Sequence, residues 1–488
     1  MGKLRVTDFI LYRWRYPLGF LTVATLLTVI IATVTFLSPG GVSQSEMHSV
    51  VTSTATQPKA LLGQSPEHII HLPYRLLQKL SLAALDVNLL SIKLPSIILS
   101  IASVIALYGL LRLWFRRNVA IITSIIVVVT GQFLLLLQLG TPAIGYVFWN
   151  TAMLYSASML VQTKKFRPIW FIVTALLAAI SLYSPLQIYT VLALAATSII
   201  HPHARFIVFK QSKWVLGLGV TIFLVITSPL IISIIQQPSI LRVLLGIPAD
   251  LGVLSLETVK TQLSQYAGFY EASSDIRVTP AYGLGIVALA FVGLYRLFTA
   301  KYTAKSYIIT IWFLMLLPVV LIDPNAVVVT FVPVVLLIAH GIDYLIRSWY
   351  RLFPKNPYAR IFGLVPLGVL VIGLILSGIE GFVYGYHYDP KASHVFTRDL
   401  ALIDKTVDQN KGKTITLIVP EKQRAFYAIY ADKKIIHPKI VITSSTAFPT
   451  TDIVLAYPNA VKSFTQIPSS ILVSANSSNA DRFYLYKK

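Results

Sequence analysis

A chain of 488 residues that is 56% hydrophobic and 12% charged, with a mean hydropathy of +0.72, is not a soluble globular protein, which carries about twice that charge. It has no cysteine, which excludes disulfides, thiolate metal sites and a cysteine nucleophile. Its net charge of +22 is scattered at the ends of apolar runs, a pattern that sets membrane topology rather than one that binds nucleic acid.

Apolar runs of roughly 18 or more residues recur along the chain, the mark of a polytopic helical membrane protein. In order, spans are expected at Pro17–Leu37, Leu89–Phe115, Val119–Leu139, Tyr146–Val161, Pro168–Ser184 and Leu186–Ile200. They continue at Trp214–Ile235, Tyr282–Phe298, Tyr307–Ile322, Val327–Ile346 and Ile361–Phe382, eleven in all. The first is expected to be retained rather than cleaved as a signal, because the chain after it stays apolar. Only Ser184-Pro185 divides the fifth from the sixth.

Basic residues set the orientation. One set of alternate connections holds 20 of the 27 Lys and Arg before Tyr388, including Arg112, Arg116, Arg117, Lys164, Lys165, Arg205, Lys210 and Lys305. The short connections on the other side, Gly140–Gly145, Ser184-Pro185 and Asp323–Ala326, hold none. The N-terminus is therefore expected in the cytoplasm and the C-terminal part outside. Of eleven Asp and Glu before Tyr388, only Asp8 and Asp343 fall on the inner side. Acids contribute little to orientation, so this asymmetry places polar work on the outer face.

Two long outer loops break the apolar pattern, at 38–88 and 236–280. The first holds Glu46, His48, Glu67, His68, His71, Arg75 and Lys79, and Lys93 follows at the outer end of the second span. Ser43 and Glu46 have the S-x-x-E spacing of a capping box, which predicts a helix from Met47 to Ala55. Pro73 to Leu85 reads as an amphipathic interfacial helix, with Leu76, Leu77 and Leu80 on its apolar side and Arg75 and Lys79 one turn apart. Those two cations suit either a phosphate clamp or ordinary anchoring at the headgroups. The second loop holds Arg242, Glu271 and Arg277 among its charges.

Residues 1–387 thus form the membrane part. From Tyr388 the composition becomes that of a soluble module, 388–488. Strands are expected at Thr414–Pro420, Ile440–Ile442, Ile453–Tyr457 and Arg482–Lys487, with a helix at Glu421–Tyr430, making a small α/β domain. Glu46, His48, Glu67, His68 and His71 could be assembled into a divalent-metal site. However, His68-x-x-His71 is followed by Pro73 and lacks the helical setting of a zinc motif, so no metal and no other cofactor is expected. His340 and Asp343 could form a proton relay or simply pack, and no acid at the midplane of another span offers a partner, which disfavours a transporter.

The first loop and second span resemble those of the GT-C glycosyltransferases, the group with the protein mannosyltransferases, aminoarabinose transferases and RgtA/B/C/D-like proteins. The residues that carry the likeness are Pro39, Gly40 and Gly41, then Ser45-Glu46-Met47, Pro73, Asp86-Val87 and Lys93-Leu94-Pro95-Ser96. It is clearest from Pro39 to about Gly145. The resemblance implies a polyprenyl-phosphate sugar donor, a lipid, glycan or protein acceptor, membrane lipids as surroundings, and transfer on the outer face. It implies Glu46 as the general base and basic residues of the outer face, here Arg75, Lys79 and Lys93, as donor-phosphate contacts. By their place in the two outer loops, His48, Glu67, His71, Arg242, Glu271 and Arg277 are possible substrate contacts. Two positions depart from the family pattern. Ser45 stands where the group has the first acid of a pair, and the loop Gly140–Gly145, where a second acid is usual, has no charge. The alternatives are a catalytically silent relative that binds polyprenyl lipid or scaffolds an envelope complex, and a lipid or solute transporter.

Overall fold

The computed structural model describes residues 21, 25, 27–37, 40–56, 66–247, 257, 259–260, 266, 281–299, 303–322, 328–353, 357–388, 395–410, 413–433, 440–443, 448–449, 451–462, 464–473 and 482–487. Helices dominate, as they must where apolar runs leave no water to satisfy the backbone. Helix α1 (Gln44–Ala55) and helix α2 (Leu72–Leu85) lie in the first loop. Then come α3 (Leu89–Trp114), α4 (Arg117–Val128), α5 (Gly131–Gln138), α6 (Gly145–Gln162), α7 (Arg167–Ser181), α8 (Gln187–Ile200) and α9 (Pro202–Phe209). The helical part closes with α10 (Lys213–Gln236), α11 (Ser239–Leu245), α12 (Leu284–Thr299), α13 (Ala304–Ile322), α14 (Phe331–Leu352) and α15 (Pro357–Tyr388).

Among the described residues, α3, α10, α13, α14 and α15 are long and apolar enough to cross a membrane. Two bent pairs raise that number to seven: α4 with α5, bent by 63°, and α8 with α9, bent by 95°. The other expected spans fall on shorter apolar helices (Leu27–Phe36, α7 and α12) and on α6, which buries Asn150, Thr151 and Ser156. Among the described residues each expected stretch meets a helix, but length and composition qualify at most seven as spans. Both bends have a local cause. The Thr130 hydroxyl caps α5 by accepting from the Phe133 N–H at 3.4 Å. At the sharper bend Pro202 has no N–H to continue α8, and the His201 ring accepts from the Ala204 N–H at 3.4 Å.

The bundle centre is built on backbone contact. A Cβ on Gly293 of α12 would lie 1.8 Å from the Leu337 carbonyl oxygen, and one on Gly341 of α14 would lie 2.3 Å from that of Leu289. Only glycine allows these helices to meet so closely, the small-residue packing that membranes favour. Trp312, Phe331, Leu336 and Ile338 fill the space around them.

The C-terminal residues carry a five-stranded sheet. Its strands are β3 (Ile415–Ile418), β4 (Ile440–Thr443), β5 (Ile453–Ala456), β6 (Ser470–Val473) and β7 (Arg482–Lys487), in the order β4-β3-β5-β7-β6. β3 runs parallel to β4 and β5, while β7 runs antiparallel to β5 and β6. Helix α16 (Asp399–Gln409) precedes the sheet and α17 (Glu421–Lys433) crosses from β3 to β4. The expected strands and helix overlap β3, β4, β5, β7 and α17, while α16, β6 and a short helix at Pro458–Val461 lie outside them.

This module is joined to the first loop. Strand β1 (Val42–Ser43) pairs antiparallel with β2 (Phe396–Thr397), and α17 packs on α1. Val42, Met47, Val50, Leu82 and Ile92 share one apolar core with Leu400, Ile403, Phe426, Tyr427 and Leu455. The core beneath the sheet is completed by the loop that composition assigns to the membrane part.

Candidate functional site

Glu46 sits in the first turn of α1. The capping box is formed, with the Ser43 N–H donating to Glu46 Oε2 at 2.7 Å and the Glu46 N–H donating to Ser43 Oγ at 3.3 Å. The Ser43 hydroxyl also donates to Oε2 at 3.0 Å. Glu46 is fully buried. Its other oxygen, Oε1, accepts from the Gly140 N–H at 2.6 Å and lies 3.8 Å from Lys93 Nζ. Both carboxylate oxygens are thus engaged. The uncharged loop after the third expected span supplies a backbone donor to Glu46 where the family pattern puts a second acid.

Lys93 is in the first turns of α3. That helix is started by Asn88, whose side chain accepts from the Ser91 N–H at 2.8 Å, while Ser91 Oγ accepts from the Asn88 N–H at 3.0 Å. The Lys93 side chain is fully buried, and among the described residues its polar contact is the ion pair with Glu46. Among the described residues its ammonium has no hydrogen-bond partner, and the Phe396 ring lies 5.8 Å away. An ammonium carries three donors, so this one is under-coordinated.

Gln78 of α2, which no sequence motif singles out, ties the site together. Its Oε1 accepts from the Ser49 and Ser53 hydroxyls, each at 2.7 Å, and its Nε2 donates to the Ile92 and Gly140 carbonyls at 3.2 and 2.9 Å. The Gly140 peptide is therefore held at both ends, by Glu46 on its N–H and by Gln78 on its carbonyl. A Cβ at Gly140 would lie 2.7 Å from the Ile92 carbonyl oxygen, so the close approach needs glycine. The available signal for Gln78 was its helical spacing from Tyr74 and Leu82, which places a polar group on the buried face.

The other expected site residues spread outward. Lys79 donates to the Thr56 carbonyl at the end of α1. Arg75 is partly buried beside His71, and His48 is exposed on α1. His71 takes a left-handed conformation, with φ 58°. Its N–H donates to the Tyr183 carbonyl at 2.7 Å, and its ring packs edge-on against Tyr146. Burial, with the Arg75 guanidinium beside it, pushes the imidazole down to about 3 and keeps it neutral. Tyr74 shares a 2.8 Å hydrogen bond with Ser96, and burial raises its phenol well above the usual value. Arg242 is exposed on α11. Glu67 is in the turn Pro66–Ile69, but its side chain, like Glu271 and Arg277, lies outside the described residues. Among the described residues no three His, Asp or Glu side chains come together as metal ligands. Glu46 is sealed in its pair while His48 faces outward, so these two members of the metal alternative point apart.

Residues 73–232 match the family model of dolichyl-phosphate-mannose-protein mannosyltransferases. A search of curated proteins by sequence finds no match. The fold is that of ArnT from Cupriavidus metallidurans in complex with undecaprenyl phosphate, at a TM-score of 0.52 and 12% identity over 96% of this chain and 97% of that one. It is also that of the archaeal oligosaccharyltransferase AglB from Archaeoglobus fulgidus, solved with an inhibitory peptide and a dolichol-phosphate. There the TM-score is 0.51 and the identity 10%, over 91% of this chain and 70% of that one. The chain is a helical membrane protein with the fold of the GT-C glycosyltransferases, and it resembles their protein mannosyltransferase group.

Proposed function

We propose that this protein moves a sugar from a polyprenyl-phosphate donor to an acceptor on the outer face of the membrane. The observation that best supports this reading is Lys93. A fully buried ammonium with unused donors, at the outer end of an apolar helix, suits a lipid phosphate, which would add charge-assisted hydrogen bonds. Undecaprenyl phosphate in the ArnT structure and dolichol-phosphate in the AglB structure are lipid phosphates of the kind proposed here. Arg75 is the next candidate contact. Lys79, already committed to the Thr56 carbonyl, is a weaker one. In this scheme Glu46 is the base, and it takes the acceptor proton after Oε1 leaves the Gly140 N–H. The proposal carries with it eleven spans, a cytoplasmic N-terminus, outer loops at 38–88 and 236–280, and an outer module from 388 on.

A second reading, a catalytically silent relative that keeps the lipid site, is favoured by one observation. Every Glu46 oxygen already accepts a structural hydrogen bond, and no acid stands in the loop Gly140–Gly145. Sugar transfer in proteoliposomes, followed by mass spectrometry of the acceptor fraction, separates the two. A wild-type signal that falls at least about 100-fold in Glu46→Gln supports the transferase, since general bases contribute that much or more. Equal turnover by both proteins removes Glu46 from its role.

A further inference from the structure

The end of the bundle opposite Glu46 holds a second feature. Helices α6, α7, α8, α9 and α13, with the last turn of α3, line an open groove of about 440 Å³. Met153, Phe171, Leu194 and Phe209 are among the apolar side chains that line it, with Trp114 at one end. Among the described residues the one charged side chain in the lining is Lys305, in the first turn of α13. Its ammonium donates to the Trp114 carbonyl and sits 5.8 Å from the Trp114 ring centroid and 5.4 Å from that of Phe115. One carbonyl leaves two of its three N–H donors for another acceptor. The carboxylate that acts on Lys305, Asp343, is already paired with Arg347 at 2.8 Å.

The surroundings fix what can enter. Helix α9 turns 95° from α8 and leaves Phe206 and Phe209 exposed at the rim, so the walls are continuous with apolar surface. The connections at this end are the basic ones, with Arg116, Arg117, Lys164, Lys165, Arg205 and Lys210. The volume is within the roughly 300–1,000 Å³ range of ligand sites. An apolar trough with a cation at its polar end is complementary to a hydrocarbon chain with an anion at its head, and a free phosphate would have nothing to offer the walls.

We propose that this groove is a lipid site that holds an acyl chain of an anionic phospholipid, with the headgroup phosphate on Lys305. It is separate from the Glu46–Lys93 site and does not depend on the function proposed there. The full-length protein in nanodiscs, with brominated phosphatidylglycerol or brominated phosphatidylcholine at equal mole fraction, tests it through quenching of Trp114 fluorescence, taken as wild type minus Trp114→Phe. The site predicts quenching by the anionic lipid at about fivefold lower mole fraction, the preference one lysine gives at an anionic headgroup. Lys305→Gln abolishes that preference, and Ala195→Phe, which fills the groove, abolishes the Trp114 quenching by both lipids. Equal quenching by the two lipids in wild type means ordinary surrounding lipid and overturns the proposal, as does a preference that survives in Lys305→Gln. Should Trp114→Phe fail to fold, native mass spectrometry of lipid retained by wild type and Lys305→Gln decides between the same outcomes.

Discussion

Glu46 and Lys93 are the two ends of one buried ion pair, and each is costly without the other. Removing a single partner of such a pair strands a charge and costs roughly 3–5 kcal/mol, whereas replacing both by neutral groups is often near neutral. Glu46→Gln is therefore expected to lower the melting temperature in detergent, and adding Lys93→Met to recover much of the loss. A double variant less stable than Glu46→Gln would show that Lys93 is held by something other than Glu46. His71 adds a pH dependence. Its imidazole protonates near 6.5 when unfolded and at about 3 when folded. Between those values the unfolded chain binds the extra proton, so stability rises with pH across the window and is lost as pH falls through it. Thermal scans from pH 4 to 7 should show this slope in wild type and a flatter one in His71→Asn, a residue that also tolerates the left-handed backbone. Equal slopes would assign the dependence elsewhere.

At the scale of elements, the short pairing of β1 with β2 links α1 to the C-terminal sheet. A Cβ at Gly41 would lie 2.7 Å from the Thr397 carbonyl oxygen, so Gly41→Val must push the two strands apart. Because Val42, Met47 and Val50 share a core with Leu400, Phe426 and Leu455, the two sides should loosen together. Hydrogen exchange is expected to speed up in both 42–56 and 396–409 in Gly41→Val, while α12 and α14 stay protected. Loosening on one side only would mean that the pairing is incidental. Much of this level is legible in sequence. The Ser43/Glu46 spacing and the short buried strands are local patterns that the structure follows, while the apolar runs fix where helices lie but not how many of them cross a membrane. The node that assembles the site is not local. The Gly140 N–H reaches Glu46 across 94 residues, and Gln78 reaches the Gly140 carbonyl across 62. No periodicity or motif encodes such a meeting, and a glycine in an uncharged loop gives no chemical hint of it. The polar Asn150 and Thr190, which hydrogen-bond at 2.8 Å inside the bundle, were hidden in the same way.

On the scale of the whole molecule, the first loop, the start of α3 and the C-terminal module close over one buried charge pair, with a GT-C helical fold below them. Composition could divide the chain at Tyr388 but could not show that the parts on either side share a core. The central claim is that the Lys93 ammonium awaits a lipid phosphate. Glu46→Gln keeps that ammonium and removes its carboxylate, while Glu46→Gln with Lys93→Met removes both, so the two variants differ at Lys93 alone. The direct measurement is binding of a polyprenyl phosphate to each purified variant in detergent. Loss of a hydrogen bond to a charged group, about 1.5–3 kcal/mol, predicts affinity at least about tenfold weaker in the double variant than in Glu46→Gln. Equal affinity in the two would contradict a phosphate site at Lys93.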